Sequence, residues 1–237
     1  MGCIKGVIFD MDGLLFDSER ICYEAYLHAA RKFGFQMNGL VHLDLIGRVE
    51  SGVVAETRRL YGGDKDVLGW RAFIKEEKGA IRESRGGRPG KRPGALELLS
   101  YLNERQIPYA LASSSVRSTI DSYLAREYLS HDFRCIVDGS QVAHGKPDPE
   151  IFLRAVGQIG CDPVETLVLE DSHAGIRAAN AGGFVSGFVY DDVSDMGVIT
   201  KGFPILVELS GPEVVRREAQ ADFSDLSHVI GFLECKR

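Results

Sequence analysis

The chain has 237 residues, 44% of them hydrophobic and 26% charged, which is the composition of an ordinary soluble globular protein. Its formal net charge of -6 disfavours a sequence-blind grip on nucleic acid, and no apolar stretch approaches the about 20 residues that span a bilayer. The five cysteines are odd in number and form no CxxC pair, and no signal-peptide core precedes the first apolar run, so reduced thiols in a cytoplasm are expected rather than a disulfide framework or a zinc site.

In chain order, Val7, Ile8 and Phe9 read as a buried strand, followed by Asp10, Met11, Asp12 and a turn glycine, Gly13. Residues two apart on an extended segment point the same way, so both aspartates face one side. Residues 17–88 carry helical periodicity (Tyr23, Tyr26, Leu27, Ala30; Val53, Val54, Thr57, Leu60; Trp70, Phe73, Ile74) and no convincing strand. This predicts an all-helical insertion, with a core made of residues 1–16 and 89–237. Its exit, residues 85–94, is rich in Arg, Gly and Pro; that density of Gly and Pro favours a hinge over a phosphate-binding patch. From Pro93 onward helix and strand patterns alternate, with strands over Tyr109 to Ala112, Cys135 to Val137, Leu167 to Leu169 and Phe184 to Val189. The fold class is therefore α/β, a parallel sheet covered by helices. Ile205-Leu206-Val207 reads as an extra strand and Pro212 to Ala219 as a short helix.

Ligands bind at the carboxyl ends of strands in such sheets, and four polar groups fall there or at helix starts. They are Asp10 with Asp12, the run Ser113-Ser114-Ser115, Lys146 before Pro147, and Glu170 with Asp171. Each alone has a bland reading as a turn, a helix cap or a solvated charge. Together they bring carboxylates, a hydroxyl and a cation to one edge. A pair of convergent carboxylates repels itself unless a cation sits there or one acid stays protonated.

The stretches DMDGLLFDSE, ALASSS, HGKPDPEIF and LVLEDSHAGIRAANAGG, in this order and spacing, resemble the haloacid dehalogenase-like superfamily, in its phosphatase and phosphomutase branch with a helical cap. The resemblance implies a Rossmann-like core, a catalytic Mg²⁺ and a phospho-aspartyl intermediate. On that pattern Asp10 is the nucleophile, and Asp12 the general acid and base. Asp10, Asp171 and the Asp12 carbonyl hold the metal, with Glu170 acting through water. Lys146, Ser113 and the main-chain N–H of Ser114 receive the phosphoryl oxygens. Dehalogenases of this fold lack an acid at the Asp12 position, so phosphoryl transfer is expected rather than C–halogen cleavage.

The substrate expected is a small phosphorylated metabolite, a sugar phosphate foremost, with neither nucleic acid nor membrane as partner; monomer and homodimer stay open. Arg48 is a candidate for binding the non-phosphate part, against a bland reading as a surface charge paired with Asp44 or Glu50. β-Phosphoglucomutases carry a cap histidine ten residues after the acid/base aspartate, where this chain has Cys22, and a cap arginine where it has Glu50. Those departures favour a phosphatase, with the sugar phosphomutase as the alternative. A receiver-like phospho-acceptor is disfavoured because receivers lack both the second aspartate and the helical insertion. His144 and His173 flank the motifs and are expected to cap or to face solvent.

Overall fold

Six segments extend and pair in parallel: Gly6–Phe9 (β1), Tyr109–Ser113 (β2), Ile136–Asp138 (β3), Thr166–Glu170 (β4), Val185–Val189 (β5) and Ala221–Phe223 (β6). The structure is a computed structural model that describes residues 2–236. The strands lie in the order β3-β2-β1-β4-β5-β6, so the chain builds outward from β1 first to one side and then to the other. Beside β1 the strand order reverses, and that is where an open parallel sheet leaves a crevice for a ligand.

Ten helices accompany the strands among the described residues. Four lie between β1 and β2: Ser18–Phe33 (α1), Gly39–Leu45 (α2), Glu50–Tyr61 (α3) and Val67–Ser84 (α4). The others are Ala95–Glu104 (α5), Arg117–Arg126 (α6), Glu150–Ile159 (α7), His173–Ala181 (α8), Pro212–Glu218 (α9) and His228–Cys235 (α10). Strand alternation decides which helices cover which face. Val7 and Phe9 of β1 pack with Leu98 and Leu102 of α5, Ile120 of α6 and Val229 of α10. Ile8 turns the other way, with Ala110 and Val168, onto Ile151 and Phe152 of α7 and Ala178 of α8. Each such side chain, buried fully, contributes about 1.5–3 kcal/mol of transfer free energy.

The inserted helices have their own apolar centre, where Tyr23, Tyr26, Phe35 and Trp70 pack against one another. The chain enters and leaves them along two adjacent segments, with Asp17 N–H donating to Gly90 O at 3.0 Å and Arg92 N–H donating to Leu15 O at 3.0 Å. The exit arginines and lysine are taken up by protein carboxylates. Arg88 and Lys91 both pair with the buried Glu127, at 2.8 and 2.9 Å, and Arg92 pairs with Asp191 at 2.7 Å.

The segment after β5 departs from the sequence expectation. Pro212–Glu218 is helical, but Ile205-Leu206-Val207 forms no strand. Residues 193–209 instead cross back over the inserted helices, where Val193, Ile199, Ile205 and Val207 join the cluster around Trp70. Backbone pairs tie residues 36–37 to 199–203: Met37 N–H to Ile199 O at 2.9 Å, Ile199 N–H to Met37 O at 2.8 Å, and Gln36 N–H to Phe203 O at 3.1 Å. Gly202 makes the approach possible, because a Cβ there would lie 2.2 Å from Gly34 O. The apolar residues of this run cover the helical insertion, and the sheet edge is taken by β6, which the sequence reading did not find. Among the described residues no helix is long and apolar enough to cross a membrane.

Candidate active site

Asp10 follows β1 directly, Glu170 ends β4, and Asp171 is the next residue, so the crevice beside β1 receives three acids. One carboxylate oxygen from each lies within 4.8 Å of the other two, and all three side chains are buried. The Lys146 ammonium, also buried, donates to Asp10 Oδ1 and to Glu170 Oε1, the latter at 2.6 Å. Both Glu170 oxygens are engaged, because its Oε2 also accepts from Asp171 N, Ser172 N and Ser172 Oγ at 3.1, 3.1 and 2.8 Å. Asp171 Oδ2, by contrast, is buried with no hydrogen-bond partner.

Three carboxylates thus face one ammonium, and the imbalance shows in their proton affinities. Burial pushes the Asp10 carboxyl up to about 8, with Lys146 pulling it down and Glu170 pushing it further up. Asp171 is raised well above its ordinary value by burial, then by the charges of Glu170, Glu19 and Asp10. Burial works against the charge of Lys146, but Asp10 and Glu170 outweigh it and hold the group protonated. Hard oxygen donors, an orphaned buried carboxylate oxygen and two uncompensated negative charges fit a divalent ion such as Mg²⁺. Gly13 keeps the space open: its φ is +78°, and a Cβ there would stand 1.9 Å from Asp171 Oδ2.

Asp12 is held apart from this trio. Its Oδ1 accepts from Ser18 Oγ and its Oδ2 from Ser115 Oγ, both at 2.8 Å. The three serines after β2 therefore do three different things. Ser113 Oγ is buried and accepts from Ser115 N at 3.1 Å. Ser114 Oγ reaches across to the inserted helices and donates to Gly47 O at 3.0 Å. Ser115 orients Asp12.

A family model described as haloacid dehalogenase-like hydrolase matches residues 4–183, which include all four motifs and every acid of the cluster. The chain belongs to this family. It is 30% identical over 211 residues to the phosphorylated carbohydrates phosphatase of Thermotoga maritima, covering 86% of this chain and 94% of that protein. It is 32% identical over 192 residues to the beta-phosphoglucomutase of Bacillus subtilis, covering 76% of this chain and 80% of that one. A solved structure, the putative beta-phosphoglucomutase from Thermotoga maritima, matches with a TM-score of 0.66 and 26% identity over 98% of this chain and 99% of that one. The chain is accordingly an enzyme of the hydrolase class on a Rossmann-like fold with inserted helices.

As in a capped hydrolase, a cavity of about 690 Å³ lies between the strand ends and the inserted helices, with Asp10, Asp12 and all three serines in its floor. Arg48 lines its wall, with its Nε donating to Asp44 O at 2.7 Å and its guanidinium 3.6 Å from the Asp44 carboxylate. Cys22 lines it too, and burial raises its thiol to about 12, so it stays neutral. Four further cations in the wall, Arg71, Lys75, Lys78 and Arg82, escaped the sequence reading. Their spacing along α4 was a usable signal, because four, three and four residues place them on one helix face. Ser18 escaped it as well, and Ser115 was picked out only as part of the serine run, because a serine beside a helix start carries no signal of its partner. His173 faces Glu218 at 3.1 Å, and His144 lies largely in solvent near Glu150. A second cavity, of about 630 Å³, opens at the amino end of β2 beside Tyr109 and His131, far along the strand from the acids.

Proposed function

We propose that this enzyme is a Mg²⁺-dependent phosphatase that hydrolyses a small phosphate monoester, a sugar phosphate foremost, through a phospho-aspartyl intermediate on Asp10. The observation that carries this reading is the buried group of Asp10, Lys146, Glu170 and Asp171 at the carboxyl edge of β1 and β4, with one carboxylate oxygen unsatisfied. The named activities of the phosphatase relatives in Thermotoga maritima and Escherichia coli, the latter on fructose 1-phosphate, support the substrate class. The five free thiols fit a cytoplasmic setting.

Held ionised by Lys146 and by the cation it would bind, Asp10 needs no base to become a nucleophile, so it attacks phosphorus directly and the bond to the leaving alkoxide breaks. Asp12, aimed by Ser18 and Ser115, gives that alkoxide its proton. It then takes a proton from the water that attacks the aspartyl phosphate, releasing orthophosphate and restoring both aspartates. Asp10, Asp171 and the Asp12 carbonyl would hold Mg²⁺, with Glu170 reaching it through water, and the ion would supply positive charge to offset repulsion between Asp10 and a phosphate. Lys146 adds a fixed charge on the other side, while Ser113 and the Ser114 N–H contribute donors to the phosphoryl oxygens. In this reading residues 17–88 act as a cap domain over a core of 1–16 and 89–237, excluding water from the reaction.

The mutase relatives keep a second reading alive, in which the phosphoryl group returns to another carbon of the sugar. Purified enzyme incubated with p-nitrophenyl phosphate and sugar phosphates decides between them. We expect orthophosphate release that needs Mg²⁺, stops in EDTA and is abolished in Asp10→Asn. Isomerised sugar without orthophosphate identifies the mutase, and full turnover in EDTA or by Asp10→Asn refutes the nucleophile and metal assignments.

A further inference from the structure

The inserted helices are held to the rest of the chain on one side and open to solvent on another. On the held side, Leu43 and Ile46 of α2 pack with Ile176 of α8, Phe188 of β5 and Val215 of α9 in a buried cluster of their own. The turn after α2 fits as closely. Gly47 O accepts from Ser114 Oγ at 3.0 Å, and a Cβ on Gly47 would lie 2.1 Å from Ser172 Oγ. The run after β5 then doubles the attachment. It leaves the sheet at the buried Val189, and by Val193 it is buried among the inserted helices. Asp191, between them, is pinned by Arg92 at 2.7 Å. Beyond Val189, Arg20 donates to Asp192 O at 3.0 Å, Tyr23 OH to Gly197 O at 2.7 Å and Leu206 N–H to Leu60 O at 2.8 Å. The chain then returns to the sheet through α9 and β6.

An insertion hung on two linkers alone can turn about them as a rigid body. Here such a turn would bring the α2 cluster into water and would pull on a strap rooted in both parts of the molecule. Packing between an insertion and its host is ordinary, but a backbone that crosses into the insertion and back is a further constraint. The catalytic cavity has another way out. α4 and α6 meet toward their carboxyl ends, where Arg82 donates to the Tyr123 hydroxyl at 3.4 Å and Arg126 lies 3.6 Å from Glu83. Toward their amino ends the lining residues Leu68 and Val116 are exposed, so the cavity opens there. We propose that the inserted helices stay docked throughout turnover, and that substrate and product pass between the amino ends of α4 and α6. This holds for a phosphatase and for a mutase alike.

Pulsed electron paramagnetic resonance reads the swing directly, with spin labels on Glu76→Cys of α4 and Glu97→Cys of α5. The exposed Cys3 and Cys235 are replaced by serine for this purpose. We expect one narrow distance with Mg²⁺ alone and the same distance with Mg²⁺ and fluoroberyllate. A second population in either state, or a shift between them, overturns the docked insertion. Two loosened forms should each add a longer population: Ile46→Ala, which thins the α2 cluster, and Arg20→Gln with Tyr23→Phe, which cuts strap ties and leaves that cluster alone. If whichever of them folds keeps the single distance, the strap and the cluster are not what holds the helices. The route is read on turnover. Leu68→Trp should lower kcat/KM for p-nitrophenyl phosphate about tenfold with an unchanged melting temperature, and full activity of that variant overturns entry at this opening. If the wild type releases no phosphate, the phosphatase reading fails alone, the distances still decide the docking, and the Leu68→Trp comparison is made on isomerised sugar.

Discussion

Asp12 accepts hydrogen bonds from two serines that lie on different elements, one at the start of α1 and one just past β2. Two donors at 2.8 Å, one on each carboxylate oxygen, fix the orientation of a side chain that lines the cavity together with Asp10. Loss of one donor frees the side chain without removing its chemistry. Ser115→Ala is therefore expected to lower kcat on p-nitrophenyl phosphate by about 3- to 10-fold with little change in KM, the size of one lost orienting hydrogen bond. A steady-state comparison with Ser115→Thr, which keeps the hydroxyl, checks it; an effect confined to KM contradicts the orienting role. At this scale the sequence was legible for acids and opaque for serines. A carboxylate pair after a strand advertises its cost, whereas any one of three adjacent serines can serve as a phosphate donor, an orienting group or a bridge to the cap.

At the scale of elements, the hinge and the run after β5 both join the inserted helices to the sheet. Glu127 collects Arg88, Lys91 and the Gly90 N–H on one buried carboxylate. Burial pushes Glu127 up, but these three partners outweigh it and hold its carboxyl at about 2, against an ordinary 4.5. The folded state thus binds this proton less readily than the unfolded one. Its contribution is complete above about pH 4.5 and is lost as pH falls toward 2. Denaturant unfolding of the wild type and Glu127→Gln should show a gap at pH 7 that narrows steadily below pH 4.5; no gap at pH 7 would contradict the anchoring role. The run after β5 lays Phe203 edge-on against Phe35, with ring centroids 5.8 Å apart, and Lys65 over its face. Phe203→Ala should cost about 1–2 kcal/mol in the same assay, below the full core value because the ring is partly exposed. An unchanged midpoint would show that this run merely drapes over the helices. Arg20 and Tyr23 of α1 add ties to Asp195 and Gly197 O, so the inserted helices are joined to the rest of the chain by more than their two linkers.

For the whole molecule, a site with three buried carboxylates and one ammonium makes the metal-free fold pay for its own function, and stability should respond to Mg²⁺. An ion at 100 times its Kd stabilises by about 2.7 kcal/mol, visible as a rise in melting temperature. Asp171→Asn should erase most of that rise, and without metal it should melt at or above the wild type because one buried negative charge is gone. Scanning calorimetry with Mg²⁺ and with EDTA reads both, and a variant that keeps the full Mg²⁺ response removes Asp171 from the metal site. The amino-acid sequence by itself determined the α/β class, the helical insertion after the first strand, and which acids and lysine the fold brings together in the candidate site. Period-two and period-3.6 patterns and residues at strand ends are local signals, readable without knowing what lies opposite. Only the tertiary structure decided that Ile205-Leu206-Val207 covers helices rather than extending a sheet, that Ser115 serves Asp12 from 103 positions away, and that one face of α4 turns its cations into the cavity. A hydrophobic or charged pattern states that a residue must be buried or paired, and the partner is chosen by the packing of segments distant in the chain.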